Sequence, residues 1–279
     1  MGKIFDALEK SNRQSQAEAL SRRHSSAKRA NRGNDNVVAL DNSNRIIKGQ
    51  NIDSNLVAYH APRSVEAELF KVLRTNLLFP ASGNLPRKIL ITSPLPGDGK
   101  SFVTSNLAIS IAQGVEEYVL LIDCDVRRPK IHKYFGFGQV VGLSEHLSVG
   151  TELSKTLLKT PIPKLTVLPA GQPPENPTEL LSSKRMKALL NEVATRYDDR
   201  FIIIDSPPPS MAAETTAIVN FVDGVILIVK AGSTPRSAVN ETIEQIGKEK
   251  ILGVVLNQSD QPLKKYYSYG KHYYGKKEG

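Results

Sequence analysis

The chain has 279 residues, of which 40% are hydrophobic and 23% charged, with one cysteine and a formal net charge of +9. That length accommodates one α/β domain of about 200 residues plus appendages. No apolar run approaches the ~18 residues that span a bilayer, no secretory core follows Met1, and Asp6 stands where a myristoylation pattern needs Ser or Thr. The lone Cys124 forms no internal disulfide and reads as a small core residue, so the expected compartment is the cytoplasm.

The charge is unevenly placed. Residues 1–60 hold 10 Lys and Arg against 6 Asp and Glu, residues 261–279 hold 5 against 1, and residues 61–260 hold 22 against 21. A nearly neutral body with basic ends argues against a dedicated nucleic-acid face. It points to ends that meet phosphates, acidic lipid heads or an acidic partner.

In chain order, Ile4, Phe5 and Leu8 line one side of a short helix through about Lys10, too short to stand without a docking partner. Residues 13–55 are dense in Ser, Asn, Arg and Gln and read as a flexible linker. Three segments are therefore expected: an arm over 1–60, a body over 61–260 and a tail over 261–279. The body opens with a helix over 64–79, where Val65, Leu69, Val72, Leu73 and Leu77 recur at helical spacing behind a Ser64 N-cap. A strand is expected over 88–93.

After that strand comes Pro96-Gly97-Asp98-Gly99-Lys100-Ser101, followed by a helix over 100–113. A strand, a glycine-rich loop and a helix form an anion cradle: curled backbone N–H groups and the positive helix end face phosphate oxygens. Lys100 reaches the β and γ phosphates, and the Ser101 hydroxyl suits Mg²⁺. The match is to the second half of the usual loop pattern, since Pro94 replaces the first glycine.

A strand over 118–123 runs into Asp123 and Asp125, which share a side of an extended chain. An irregular stretch to about 163, a strand over 165–169 and helical patterns over 178–197 lead to a strand over 201–205 that closes on Asp205. A helix near 212–221, a strand over 225–230, a helix over 236–247 and a strand over 251–256 complete the body. Continuous apolar runs alternating with helices predict a doubly wound, mostly parallel α/β sheet buried on both faces. Ligands of such sheets sit beyond the carboxyl ends of the strands. Lys100, Ser101, Asp123, Asp125 and Asp205 should therefore surround one crevice, with Asp205 a partner for Mg²⁺. Asn257, after the last strand, either touches a base or caps the strand.

The tail carries Tyr266, Tyr267, Tyr269, Tyr273 and Tyr274 among lysines and glycines. It reads as a disordered basic tail, as a base-stacking tail, or as a set of phenol acceptors. With a pKa near 10, a phenol attacks only when positioned and relieved of its proton.

In combination these motifs resemble the bacterial tyrosine kinases, P-loop autokinases of exopolysaccharide and capsule assembly. The resemblance covers roughly 61–279. It rests on Gly97, Gly99, Lys100 and Ser101, on the run from Leu121 to Pro129, on Gly142-Leu143-Ser144, on the run from Leu168 to Pro177, on Asp205, and on the tyrosine-rich tail. It implies a P-loop NTPase architecture with ATP and Mg²⁺ as cofactors. Gly97, Asp98, Gly99, Lys100, Ser101, Phe102 and Asn257 would bind the nucleotide, and Ser101, Asp125 and Asp205 the metal. Asp123 would orient or deprotonate the phenol, with Asp125 and Lys100 beside it, and the five tail tyrosines would be the autophosphorylation sites. Arg127 and Arg128 would contact phosphates or a neighbour, or remain surface charges.

The family's ring-forming helix motif, E-x-x-R-x-x-R, falls on Glu68, Lys71 and Arg74, where Lys71 lacks the bidentate fork of arginine. The resemblance further implies a homo-oligomer that is recruited to the inner face of the membrane by a polysaccharide chain-length (co-polymerase) protein, which activates it. Partition-type ATPase switches are the competing class. They carry a lysine where this loop has Leu95.

Overall fold

The computed structural model describes residues 51–80, 85–195 and 200–259. The arm up to residue 50 and the tyrosine tail lie outside the described residues. The body starts before the expected boundary at 61. Ile52, Leu56 and Ala58 are buried, and α1 (Val57–His60) belongs to the core. Polar pins fix this segment. The Asn106 side chain accepts the Ala58 N–H at 3.0 Å and donates to the Asn55 carbonyl at 3.2 Å, while Gln113 Nε2 donates to the Ala58 carbonyl at 2.8 Å. In a Ser- and Asn-rich stretch so few apolar positions leave little periodicity to read.

Helix α2 (Val65–Leu78) begins where Ser64 Oγ accepts the Ala67 N–H at 3.1 Å. Then follow β1 (Lys88–Thr92), α3 (Lys100–Ala112) and β2 (Tyr118–Asp123). The stretch expected to be irregular contains α4 (Ile131–Tyr134), α5 (Leu143–Val149), α6 (Leu153–Thr156) and the two-residue β3 (Leu158–Lys159). These elements are too short to show a period in sequence. After β4 (Leu165–Leu168), the helical patterns expected over 178–197 are two helices, α7 (Pro177–Leu181) and α8 (Lys184–Thr195). The break falls at Ser182-Ser183. The Ser183 hydroxyl accepts the Met186 N–H at 3.2 Å and so restarts the helix. The chain closes with β5 (Arg200–Asp205), α9 (Ala213–Val219), β6 (Gly224–Lys230), α10 (Arg236–Ile246) and β7 (Ile251–Asn257).

Among the described residues the strands form one sheet in the order β3-β4-β2-β5-β1-β6-β7, parallel except for the β3–β4 pair. Successive strand residues face opposite ways. Ile89, Ile91, Leu121 and Ile203 join a cluster with α2 and α3, whereas Leu90, Leu120, Ile202 and Ile204 join a second cluster with α5, α8 and α9. Burial on both faces explains why the strands read as unbroken apolar runs. Because β1, β5 and β2 are adjacent, their carboxyl ends open side by side.

Candidate active site

Seven residues, Ser93 to Gly99, connect β1 to α3. Gly97 and Gly99 take φ of +91° and +92°, a region costly for any residue with a Cβ. A Cβ on Gly99 would also run into the Asn257 amide. The loop is braced from three sides. Asp98 turns inward, its carboxylate accepting the Leu95 N–H at 3.2 Å and the Thr234 hydroxyl at 2.7 Å. Asn257 Nδ2 donates to the Asp98 carbonyl at 2.9 Å, and Ser210 Oγ to the Pro94 carbonyl at 3.2 Å. The anion-binding shape is thus held by side chains from the loops after β5 and β6 and from the end of β7.

The first turn of α3 then delivers its side chains to the neighbouring strand ends. Lys100 Nζ donates to Asp125 Oδ2 at 2.9 Å, and Ser101 Oγ to Asp205 Oδ2 at 2.6 Å. Thr104, one turn on, sits 2.7 Å from the Lys100 carbonyl and 3.1 Å from Asp205 Oδ1, so its single proton serves both. Asp123 lies in register with Asp205 across the β2–β5 pair. Its carboxylate accepts the N–H groups of Asp125, Lys130 and Ile131 at 3.1, 3.2 and 3.1 Å. Asp123 and Asp205 are fully buried, whereas Asp125 retains 6% exposure at the opening.

This packing sets the proton affinities. Burial pushes the Asp205 carboxyl up to about 6, against the Lys100 charge and the Ser101 hydrogen bond. Asp123 is pushed well above the usual carboxylate range by burial and then by the Asp205 charge. Burial would lower Lys100, but the carboxylates of Asp205 and Asp125 outweigh it and keep the ammonium charged. Burial, then the surrounding carboxylates, raises the Cys124 thiol and leaves it an unreactive core group.

Lys100, Ser101, Asp123, Asp125 and Asp205 are brought together as the sequence predicts. Phe102 packs edge-on against Phe70, with ring centroids 5.9 Å apart. The Asn257 amide, at the end of its strand, holds the loop through the Asp98 carbonyl. Glu68 and Lys71 pair with each other at 2.6 Å, and Arg74 Nη1 donates to the Ser110 carbonyl at 2.8 Å. The five tail tyrosines lie outside the described residues. Thr104 and Thr234 are additions. Thr104 was findable as the residue one helical turn after Lys100, whereas nothing near Thr234 in sequence connects it to Asp98.

No family model matches the chain. It is 35% identical over 233 residues to the tyrosine-protein kinase YwqD of Bacillus subtilis (strain 168), a match covering 83% of this chain and 95% of that protein. The chain belongs to the bacterial tyrosine kinase family. Another relative is the tyrosine-protein kinase CpsD of Streptococcus agalactiae, 34% identical over 214 residues, covering 76% of this chain and 90% of CpsD. Among solved structures, the kinase domain of the Escherichia coli tyrosine kinase ETK superposes with a TM-score of 0.69 at 31% identity, covering 75% of this chain and 81% of that one. As a bacterial tyrosine kinase the chain is a tyrosine-protein kinase, and the braced loop is its nucleotide site. Among the described residues no helix is long and apolar enough to cross a membrane.

Proposed function

We propose that this kinase transfers the γ-phosphoryl group of ATP to the tail tyrosines 266, 267, 269, 273 and 274 of a neighbouring copy, and thereby regulates exopolysaccharide or capsule synthesis or export. The observation that carries this reading is the convergence of Lys100, Ser101, Asp125 and Asp205 on one opening, in a chain that also carries a tyrosine-rich tail.

Lys100 now rests on Asp125, and on nucleotide binding it exchanges that carboxylate for phosphate oxygens. The exchange frees Asp125 to face the metal side. Asp123 orients the incoming phenol or takes its proton. Three backbone N–H groups enclose Asp123, so the 124–131 segment must yield as the acceptor arrives.

The donor set fits Mg²⁺. The Ser101 hydroxyl and Asp205 carboxylate are hard oxygen ligands 2.6 Å apart, and Mg²⁺ characteristically completes its shell with water and substrate phosphates. Among the described residues no group of three or more His, Cys, Asp or Glu side chains could cage a metal instead. When bound, Mg²⁺ neutralises charge on the transferring phosphoryl group. Ring assembly through Glu68, Lys71 and Arg74, and recruitment to the inner membrane face by a chain-length protein that activates the kinase, complete the proposal.

The test is incubation with Mg-ATP and a cytoplasmic fragment of such an activator, followed by phosphotyrosine mapping. Phosphate on the tail supports the reading. Hydrolysis of ATP without labelling overturns it in favour of a partition-type switch, and neither activity overturns it in favour of a nucleotide-binding scaffold.

A further inference from the structure

Beside the active site lies a cavity of about 490 Å³ built on the segment that follows Asp125. Arg127, Arg128, Lys130, His132 and Lys133 line one wall and Gln172 part of the other, and no lining residue carries a carboxylate. Arg127 is spoken for, since its Nε donates to the buried Glu214 at 2.7 Å. Arg128, Lys130 and Lys133 are exposed, and all three line the cavity.

The same segment shapes both sites. The Arg128 N–H donates to Asp125 Oδ1 at 3.2 Å and the Lys130 N–H to Asp123 Oδ2 at 3.2 Å. Backbone N–H groups thus hold the catalytic carboxylates while the basic side chains of the same residues line the cavity next door.

We propose that this cavity is a docking site for phosphotyrosine, and that its occupant is the phosphorylated tail of this or another copy. The inference rests on the proposed tail phosphorylation. Charge complementarity selects this occupant. Residues 261–279 hold 5 Lys and Arg against 1 Glu and are repelled by the cavity until modified. Each phosphate adds about −1.5 to −2, so three phosphates turn the tail net negative and provide oxygens for the lysines and Arg128 to grip. The cavity therefore discriminates product from substrate.

Reach is ample. From β7 to β2 is four strand spacings, about 19 Å at ~4.8 Å each. The fifteen residues from 260 to 274 extend to about 50 Å at ~3.3 Å each. Burial, and then the charge of Lys133, hold His132 below the usual histidine range.

The test is fluorescence anisotropy of synthetic 261–279 peptides on the full chain, unmodified or carrying phosphotyrosine at 267, 269 and 273. The Lys130→Glu/Lys133→Glu variant and vesicles of phosphatidylglycerol are run alongside. The expected result is at least tenfold tighter binding of the phosphorylated peptide. The double variant should lose that gain while keeping its melting temperature and its affinity for an ATP analogue. Equal binding of the two peptides, or a gain that survives both charge reversals, overturns the proposal. So does capture by vesicles without any gain for the phosphopeptide, which would assign the cavity to a lipid surface. Because the peptides are phosphorylated chemically, the measurement reads docking whether or not the chain labels its own tail.

Discussion

Asp123 and Asp205 stand in register at the ends of adjacent parallel strands, both without solvent exposure. Burial penalises the charged form of both groups, and it pushes the Asp205 carboxyl up to about 6 from 3.8, with the nearby Asp125 charge adding to it. The folded protein holds this proton more tightly than the unfolded chain. The stability it contributes is therefore complete below the unfolded value and lost as pH rises through about 6. Asp205→Asn is expected to raise the melting temperature at pH 8, by an amount corresponding to on the order of 1–3 kcal/mol, with the advantage shrinking toward pH 5. Phosphoryl transfer is lost in the same variant. Thermal melts across this pH range check it, and a lower melting temperature at pH 8 would show that the charged form is not strained.

Lys100 and Asp125 are 11% and 9% exposed in their side chains, so the pair is shielded from water. Lys100→Met leaves Asp125 without its counter-charge and is expected to cost roughly 1–3 kcal/mol. Transfer should fall by about 10²-fold or more. Adding Asp125→Asn restores most of the stability and none of the activity. A double-mutant cycle by chemical denaturation measures the coupling, and simple additivity would mean that the pair contributes little.

Thr234 and Asn257 support the nucleotide loop without lying on it. Thr234→Val and Asn257→Ala each remove one hydrogen bond to Asp98, worth about 1 kcal/mol. Both are expected to raise the KM for ATP several-fold while kcat changes less. Steady-state kinetics separate the two effects. A fall in kcat alone would place these residues in the chemistry instead.

Glu214 is fully buried and is held by Arg127 and by the Thr178 hydroxyl at 2.9 Å. Burial pushes its pKa up, but the hydrogen bonds from Arg127 and Thr178 win and set it below 4.5. Its contribution is therefore present above the unfolded value and lost as pH falls through the folded one. Arg127→Ala is expected to cost about 2 kcal/mol at pH 7, with the deficit closing on acidification below pH 4.5. Arg127→Ala/Glu214→Gln should regain most of it. A deficit unchanged at low pH would point to lost packing.

The sequence revealed what lies close together along the chain. The loop, the strand-end aspartates and the alternation of strands and helices are each local patterns, and the parallel sheet follows from buried apolar runs. What stayed hidden depends on distant partners. Asn106 recruits residues 55–58 into the body across some fifty positions, and Thr234 reaches Asp98 across 136. Ser182 and Ser183 were readable as helix breakers but were masked by the apolar periodicity on either side. The basic character of residues 127–133 was visible, whereas their gathering around one cavity required the fold.

The Asn257 bond to the loop ties two parts of the enzyme that the sequence keeps far apart. The tyrosine tail starts at residue 261, only four positions past the side chain that props up the nucleotide cradle. Engagement of the tail, as proposed above, would thus act four residues from the amide that holds the Asp98 carbonyl.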